Sequence, residues 1–154
     1  MNNDIKIIET DPNSSKALLL LEELSEALEA ITGSSGKNSF HPEDVCIPRS
    51  SFVIAYDENG EALGCGGFRP INESTAEVKR MYARTKSIGV GTKILMYLEI
   101  QASKLDYTYL WVETRLINER AVAFYENRGY YRIPNYGKYN SNPEAVCFEK
   151  KIDG

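Results

Sequence analysis

The sequence predicts an α+β fold: one central mixed, mostly antiparallel sheet of about seven strands, flanked by helices. Three observations carry this. Two strand-like runs, SFVIAY (51–56) and EALGCGGFR (61–69), flank Asp57-Glu58-Asn59-Gly60, a hairpin turn with Asn-Gly at its tip. Leu18, Leu21, Leu24, Leu28 and Ile31 recur at helical spacing, so a helix lies between the first two strands. Strands and helices then interleave to the end, with no repeat, low-complexity tract or linker, which makes residues 1–154 a single domain with helices packed on a sheet.

The elements follow in order. IKIIE (5–9) alternates weakly and reads as a first strand. Asp11-Pro12 opens the leucine-rich helix. Residues 33–44 form a polar loop before the hairpin. INES turns the chain again, and TAEVKRMYA (75–83) is the next strand. A turn containing Gly89 and Gly91 leads into a helix that begins near Thr92 and runs to about Leu105. YTYLWVET (107–114) is a strand. Asn118 caps a short helix, AVAFYENR, closed by Gly129, and YYRIPNY and AVCFEKKI end the chain as two strands.

Composition narrows the function. The net charge of −4 argues against nucleic acid as the main partner, because phosphate binding needs a basic face; it is compatible with a cationic acceptor. Cys46, Cys65 and Cys147 are odd in number and widely spaced, so neither a disulfide framework nor a zinc site is indicated; Cys65 and Cys147 fall in strand-like runs and read as core residues. His41 is the single histidine, so no metal site is expected. The first residues lack a basic segment followed by a long apolar one, and the aliphatic run ALLLL stops at Glu22 and Glu23. No membrane association is expected, and a reducing cytoplasmic setting fits the cysteines.

Two phosphate motifs fail on inspection. GSSGKNS (33–39) has too few residues between its glycines, and Asn38 follows the lysine where a P-loop needs Ser or Thr. The dinucleotide fingerprint fails at Ile94, where a third glycine belongs. What survives is geometric. A strand ends near Ala83, a turn holds Gly89 and Gly91, and a helix begins. The first N–H groups of that helix lack partners and carry the positive end of its dipole. Glycines clear Cβ atoms from the path of a diphosphate, and Thr92 adds a hydroxyl donor. A tight strand-to-helix turn explains the same glycines equally well.

Two further groups of residues carry chemistry. On 76–83, regular alternation puts Glu77, Lys79, Met81 and Ala83 on one face and Val78, Arg80 and Tyr82 on the other. A carboxylate on an apolar sheet face is a candidate base; the alternative is a solvated charge paired with Lys79 or Arg80. In NERAVAFYENRGY (118–130), Tyr125 is either a packing aromatic or a donor aimed at a ligand.

Taken together, Glu77, KSIGVG at 86–91 and N-x-R-A-x-x-F-Y-E-x-x-G-Y at 118–130 resemble the GNAT superfamily of N-acetyltransferases, over essentially the full length. The family pattern at the turn is Q/R-x-x-G-x-G/A; this chain has Lys86 at its first position, a point charge without the planar fork of arginine, and the stretch before it is about two residues short. The resemblance implies acetyl-CoA as co-substrate. Met81 and Ala83 would pair with its pantetheine arm like an added strand, in a slot opened by a bulge. Lys86, Ile88, Gly89, Val90, Gly91 and Thr92 would hold the diphosphate, and Asn118 would contact the arm. Glu77 would act as general base on an amine whose conjugate acid has a pKa of about 10.4. A backbone N–H near Met81 would face the developing oxyanion. Tyr125 would act as general acid toward the leaving sulfur. No covalent acetyl-enzyme is needed.

Glu113 is the alternative base, or else a strand-end charge facing water. His41 lies where acceptors often bind in this family, or is an exposed loop histidine. The expected acceptor is a primary amine of a small molecule or peptide: a polyamine, amino sugar, lysine side chain, amino-acid α-amine or peptide N-terminus. The segments 33–44 and 134–143 are expected to frame it. Their polar and aromatic character favours a small or mid-sized polar acceptor. A homodimer through the last strands is an open option. The rival readings are transfer of another acyl group, a non-catalytic acetyl-CoA-binding module, and a toxin-type acetylator of charged tRNA, which the acidic charge disfavours.

Overall fold

A computed structural model describes residues 5–37, 40–84 and 89–152. The chain alternates β1 (Lys6–Glu9), α1 (Ser15–Thr32), β2 (Ser51–Tyr56), β3 (Ala62–Pro70), β4 (Thr75–Ala83), α2 (Val90–Lys104), β5 (Tyr109–Arg115), α3 (Glu119–Asn127), β6 (Tyr131–Ile133) and β7 (Ala145–Lys151). The strands form one seven-stranded sheet in the order β1-β2-β3-β4-β5-β7-β6. Every pairing is antiparallel except β4 with β5. The expected α+β sheet of seven strands is the one observed.

Each face of the sheet is covered differently. On one, Leu20, Leu21 and Ala17 of α1 meet Phe52, Ile54 and Cys65. On the other, α2 brings Val90, Ile94, Leu95 and Leu98 against Val53, Phe68 and Val78, and α3 adds Tyr125. Side chains on alternate residues of β2 and β3 therefore enter opposite cores, as the pleat requires. Three glycines on β3 let this happen closely. A Cβ at Gly66 would lie 2.5 Å from the Met81 sulfur, and one at Gly64 2.3 Å from the Tyr82 carbonyl oxygen.

Two elements differ from the sequence reading. The buried face of α1 is Ala17, Leu20, Leu21, Leu24 and Ser25. Leu18 and Ile31 point outward, at 49% and 44% exposure. Both phases of the ALLLL run satisfy helical spacing, and only the sheet selects one. Ser14 rather than Asp11-Pro12 caps the helix, accepting from the Ala17 N–H, and Gly33 closes it at φ 83°. In the 33–44 loop Phe40 is buried, so that segment is anchored rather than purely polar.

The strand that matters most, β4, is irregular. Cys65 pairs with Tyr82 and Gly67 with Lys79, so Arg80 and Met81 together oppose Gly66. This is a β-bulge, and Arg80 occupies it at φ 56°, a left-handed conformation uncommon outside glycine. The extra residue reverses the alternation beyond it. Glu77, Lys79, Arg80 and Tyr82 make their contacts on the α1 face. Met81 and Ala83 pack with Val78 on the α2 face. The regular alternation expected for 76–83 is corrected accordingly.

Candidate active site

Three features of β4 open a slot in the middle of the sheet. Its parallel pairing with β5 covers only Thr75–Tyr109, Ala76–Leu110 and Glu77–Trp111. Beyond Glu77 the two strands diverge. The backbone edge of β4 from Val78 onward is left for another partner, and the bulge adds local bend and twist. The result is a cavity of about 150 Å³ that runs through the sheet. Leu24, Leu28 and Ser34 wall it on the α1 side; Met81, Asn118, Ala121 and Tyr125 line it toward α2 and α3.

The α2 end is built from backbone. Gly89 is the N-cap of α2 at φ 71°, and a Cβ there would meet nothing within 4 Å. Its conformation, not crowding, calls for glycine. Gly91 lies inside the first turn, where a Cβ would make ordinary contact with Phe124 at 3.6 Å. Neither packing nor dihedral requires glycine at 91, so a requirement there points to something approaching the backbone. No side chain among the described residues caps this helix, and none of them takes up its first N–H groups. Thr92 accepts from Arg128 Nη1 at 3.2 Å, and its own O–H has no acceptor among the described residues.

Asn118 caps α3, its Oδ1 accepting from the Ala121 N–H, and the residue lines the slot. Tyr125 is buried at 6% exposure among Phe124, Tyr130 and Phe148. Its hydroxyl has no hydrogen-bond partner among the described residues. Burial, and then the Glu113 charge, push it well above the ordinary tyrosine range, so it stays protonated.

The α1 end is built from charged side chains. Glu77 is 1% exposed. Its Oε1 accepts from Arg69 at 2.9 Å, its Oε2 from the Tyr136 hydroxyl at 2.8 Å, and Lys79 Nζ stands 3.9 Å from Oε2. The partner expected from sequence, Lys79 or Arg80, is thus joined and outweighed by Arg69, directly across the strand pair. Burial lowers the Lys79 ammonium from its usual range, with the Glu77 charge opposing that fall. Tyr139 accepts from Lys79 at 3.2 Å. Tyr136 stacks on Trp111 with centroids 4.6 Å apart, fixing its hydroxyl over Glu77. Glu113 lines the slot from β5 and pairs with Arg115. Burial raises its carboxyl above the usual range, with Arg115 pulling it back.

A central sheet parted at β4 and β5, with a bulge on one lip and an uncapped glycine helix start at one mouth, is now matched by sequence. Residues 19–130 match the family described as Acetyltransferase (GNAT) family. The chain belongs to the GNAT acetyltransferase family. It is 31% identical over 102 residues to an uncharacterised N-acetyltransferase of Schizosaccharomyces pombe; the match takes in 64% of this chain and 62% of that protein's length. A solved structure provisionally assigned as an acyl-CoA N-acyltransferase from Klebsiella pneumoniae is 25% identical, with a TM-score of 0.81 over 96% of this chain and 97% of that one. A GNAT family acetyltransferase from Elizabethkingia anophelis, solved with acetyl-CoA bound, shares the fold at 15% identity, with a TM-score of 0.72 over 98% of this chain and 100% of that one.

Of the GNAT residues expected from sequence, Glu77, Met81, Asn118 and Tyr125 line the slot together. Ala83 continues the same strand, paired to Gly64. Gly89, Val90, Gly91 and Thr92 form the start of α2. Helix α2 begins at Val90, two residues before the expected start, which places Gly91 in its first turn. Lys86 and Ile88 lie outside the described residues. His41 is exposed and is not part of the slot lining. Four residues were not anticipated: Arg69 and Tyr136 on Glu77, Tyr139 on Lys79, and Arg128 beside Thr92. Arg69 was findable in principle, since the short INES turn makes it the hairpin partner of Glu77. The tyrosines reach their charges from about sixty residues away, and nothing local marks them.

No helix among the described residues is long and apolar enough to cross a membrane.

Proposed function

We propose that this protein is an acetyl-CoA-dependent N-acetyltransferase that moves the acetyl group directly to a primary amine. The observation that carries this reading is the parted β4–β5 lip, with unsatisfied helix N–H groups at one end and a buried carboxylate at the other. The chain's groups fit an acyl-CoA. Gly89, Val90, Gly91 and Thr92 offer backbone donors and a hydroxyl to a diphosphate, and Gly91 has no Cβ in the way. Met81 and Ala83 present a strand edge to an amide-bearing arm, and Asn118 has an amide N–H to spare.

A thioester supplies an activated acyl group and a stable leaving thiolate. Glu77, directly or through water, takes a proton from the acceptor's ammonium and so frees the neutral amine to attack. A backbone N–H near Met81, on the bulge, faces the negative charge that develops on the carbonyl oxygen. As the C–N bond forms and the C–S bond breaks, Tyr125, held protonated by its burial, donates to the sulfur, and the proton shed by the new amide nitrogen restores it. Glu113 is the second reading for the base. Two facts favour it: both oxygens of Glu77 already accept hydrogen bonds, and burial raises the Glu113 carboxyl.

Calorimetric titration with acetyl-CoA, CoA and ATP tests the cofactor site. Acetyl-CoA and CoA are expected to bind and ATP is not. Gly91→Glu is expected to abolish binding while melting normally. An amine panel read by thiol release then tests transfer. If neither acetyl-CoA nor CoA binds the native protein, the acyltransferase reading falls.

A further inference from the structure

The acceptor end of the slot carries charges that do not cancel where they sit. Lys79, Arg80 and Arg115 line it with Glu77 and Glu113. Glu77 is shared by Arg69, at 2.9 Å, and Lys79; Arg69 also reaches Asp44 at 3.3 Å, and Arg115 holds Glu113. Lys79 is 8% exposed. Its nearest partner is the neutral Tyr139 hydroxyl at 3.2 Å, and Glu77, at 3.9 Å, is already shared with Arg69. Arg80 has no carboxylate within ion-pair distance among the described residues. Its guanidinium donates to the carbonyls of Leu21 and Ser35 and to Ser25 Oγ, and its buried Nε has no acceptor.

The local sign is therefore positive, opposite to the net charge of the whole chain. In a partly desolvated slot the local charges dominate, because solvent screens distant ones. A polycationic acceptor would meet Arg80, which has no carboxylate partner among the described residues, and Lys79, which has only a share of Glu77. A zwitterion would not. Glu77 and Lys79 stand two residues apart on one face of β4, about 6.5 Å along the strand. With Lys79 Nζ 3.9 Å from Glu77 Oε2, the pair presents an anion and a cation side by side to a molecule carrying an amine and a carboxylate on one carbon. The wall opposite, Leu24 and Leu28 of α1, is aliphatic.

We propose that the acceptor is a free α-amino acid with an apolar side chain, its amine directed to Glu77 and its carboxylate bound by Lys79. This assignment rests on the acyl-transfer reading above and gives that site its substrate class. Lys79 is then a substrate-binding residue. Tyr139 positions its ammonium, and Arg80 adds to the field without needing direct contact. Leu24 and Leu28 receive the acceptor's side chain.

The test uses leucine, alanine and phenylalanine, each with its carboxamide and its decarboxylated amine, and spermidine as the polycation. Transfer is read by thiol release, and acceptor binding without cofactor by calorimetry. The best amino acid is expected to exceed its carboxamide and decarboxylated amine by about tenfold or more in kcat/KM, mostly through KM. Spermidine is expected to be the poorest acceptor. Lys79→Met is expected to bring that ratio to within about threefold while still binding acetyl-CoA as the native protein does. Lys79→Arg is expected to restore part of it. Equal binding of acids and amides, a ratio unmoved by Lys79→Met, or preferred turnover of spermidine overturns the assignment. Loss of acetyl-CoA binding in the native protein overturns the transfer reading instead, and the cofactor-free acceptor titration still decides for or against the carboxylate site.

Discussion

The two ends of the slot solve different problems with different materials. The α2 end offers neutral backbone: an uncapped helix start, two glycines and one threonine hydroxyl. The α1 end offers side chains: six charged groups on β3, β4 and β5, two tyrosines from beyond β6, and the aliphatic face of a helix. Backbone donors suit a group common to every acyl-CoA, the proposed cofactor, and need only a chain free of Cβ atoms. Side chains converging from distant elements recognise something particular. The contrast implies that substitutions at the α2 end weaken cofactor binding with little structural cost. Those at the α1 end disturb catalysis, acceptor choice and stability together.

The sharpest break in that contrast comes from Glu77→Gln. Transfer is expected to fall by on the order of 10²- to 10³-fold. Urea denaturation is expected to show a loss of about 3–5 kcal/mol, because Lys79 is left buried without an anion and Arg69 keeps only Asp44. Glu113→Gln in the same assays assigns the base. Full transfer by Glu77→Gln with loss in Glu113→Gln passes the role to Glu113.

Tyr125→Phe is expected to slow transfer by roughly 10- to 100-fold with acetyl-CoA affinity unchanged. It also has a pH signature. Burial raises the Tyr125 hydroxyl, and burial raises Tyr136 in the same direction. Above about pH 10 the unfolded tyrosines lose protons that the folded ones keep. Their contribution to stability is thus complete below that pH and is lost as pH rises beyond it. The alkaline decline in unfolding free energy is expected to be shallower in Tyr125→Phe. An identical decline in both proteins would remove Tyr125 from this account.

A paired glycine comparison sharpens the α2 end. Gly89→Ala is expected to cost roughly 1 kcal/mol, because φ 71° strains any residue with a Cβ. Gly91→Ala sits in a helical turn with room for a methyl group and is expected to leave stability unchanged or up to about 1 kcal/mol higher. Its acetyl-CoA affinity is nonetheless expected to drop by about tenfold. Undiminished affinity in Gly91→Ala would mean that the glycine serves the turn and not a ligand. The smallest effect is expected from Arg128→Gln. Arg128 is half-buried beside Thr92, and its loss is expected to weaken acetyl-CoA binding about two- to fivefold at low salt and less at high salt.

Much of the architecture was legible in local pattern. The Asn-Gly hairpin, the strand at 75–83, the Asn118 cap and the Gly129 stop are set by nearest neighbours along the chain, and they stand where their residues indicate. The phase of α1 was not legible, because a run of four leucines satisfies two helical faces and the sheet chooses between them. The bulge was not legible either. Nothing in VKRMY marks an arginine for a left-handed conformation, and one extra residue reversed the side-chain alternation beyond it.

By itself, then, the order of residues determined the α+β topology, the glycine at the start of α2, and the presence of Glu77 and Tyr125 at positions that resemble an acetyltransferase. These follow from short-range preferences: turn chemistry, capping and hydrophobic period. The tertiary structure alone decided which charges meet. Arg69, Glu77, Lys79, Tyr136 and Tyr139 come from three separate stretches of chain, and their pairing depends on strand register, on a bulge, and on a tyrosine stacked against Trp111. Electrostatic sign at a site is a sum over neighbours in space. A chain that is acidic as a whole can therefore fold to present a locally positive slot.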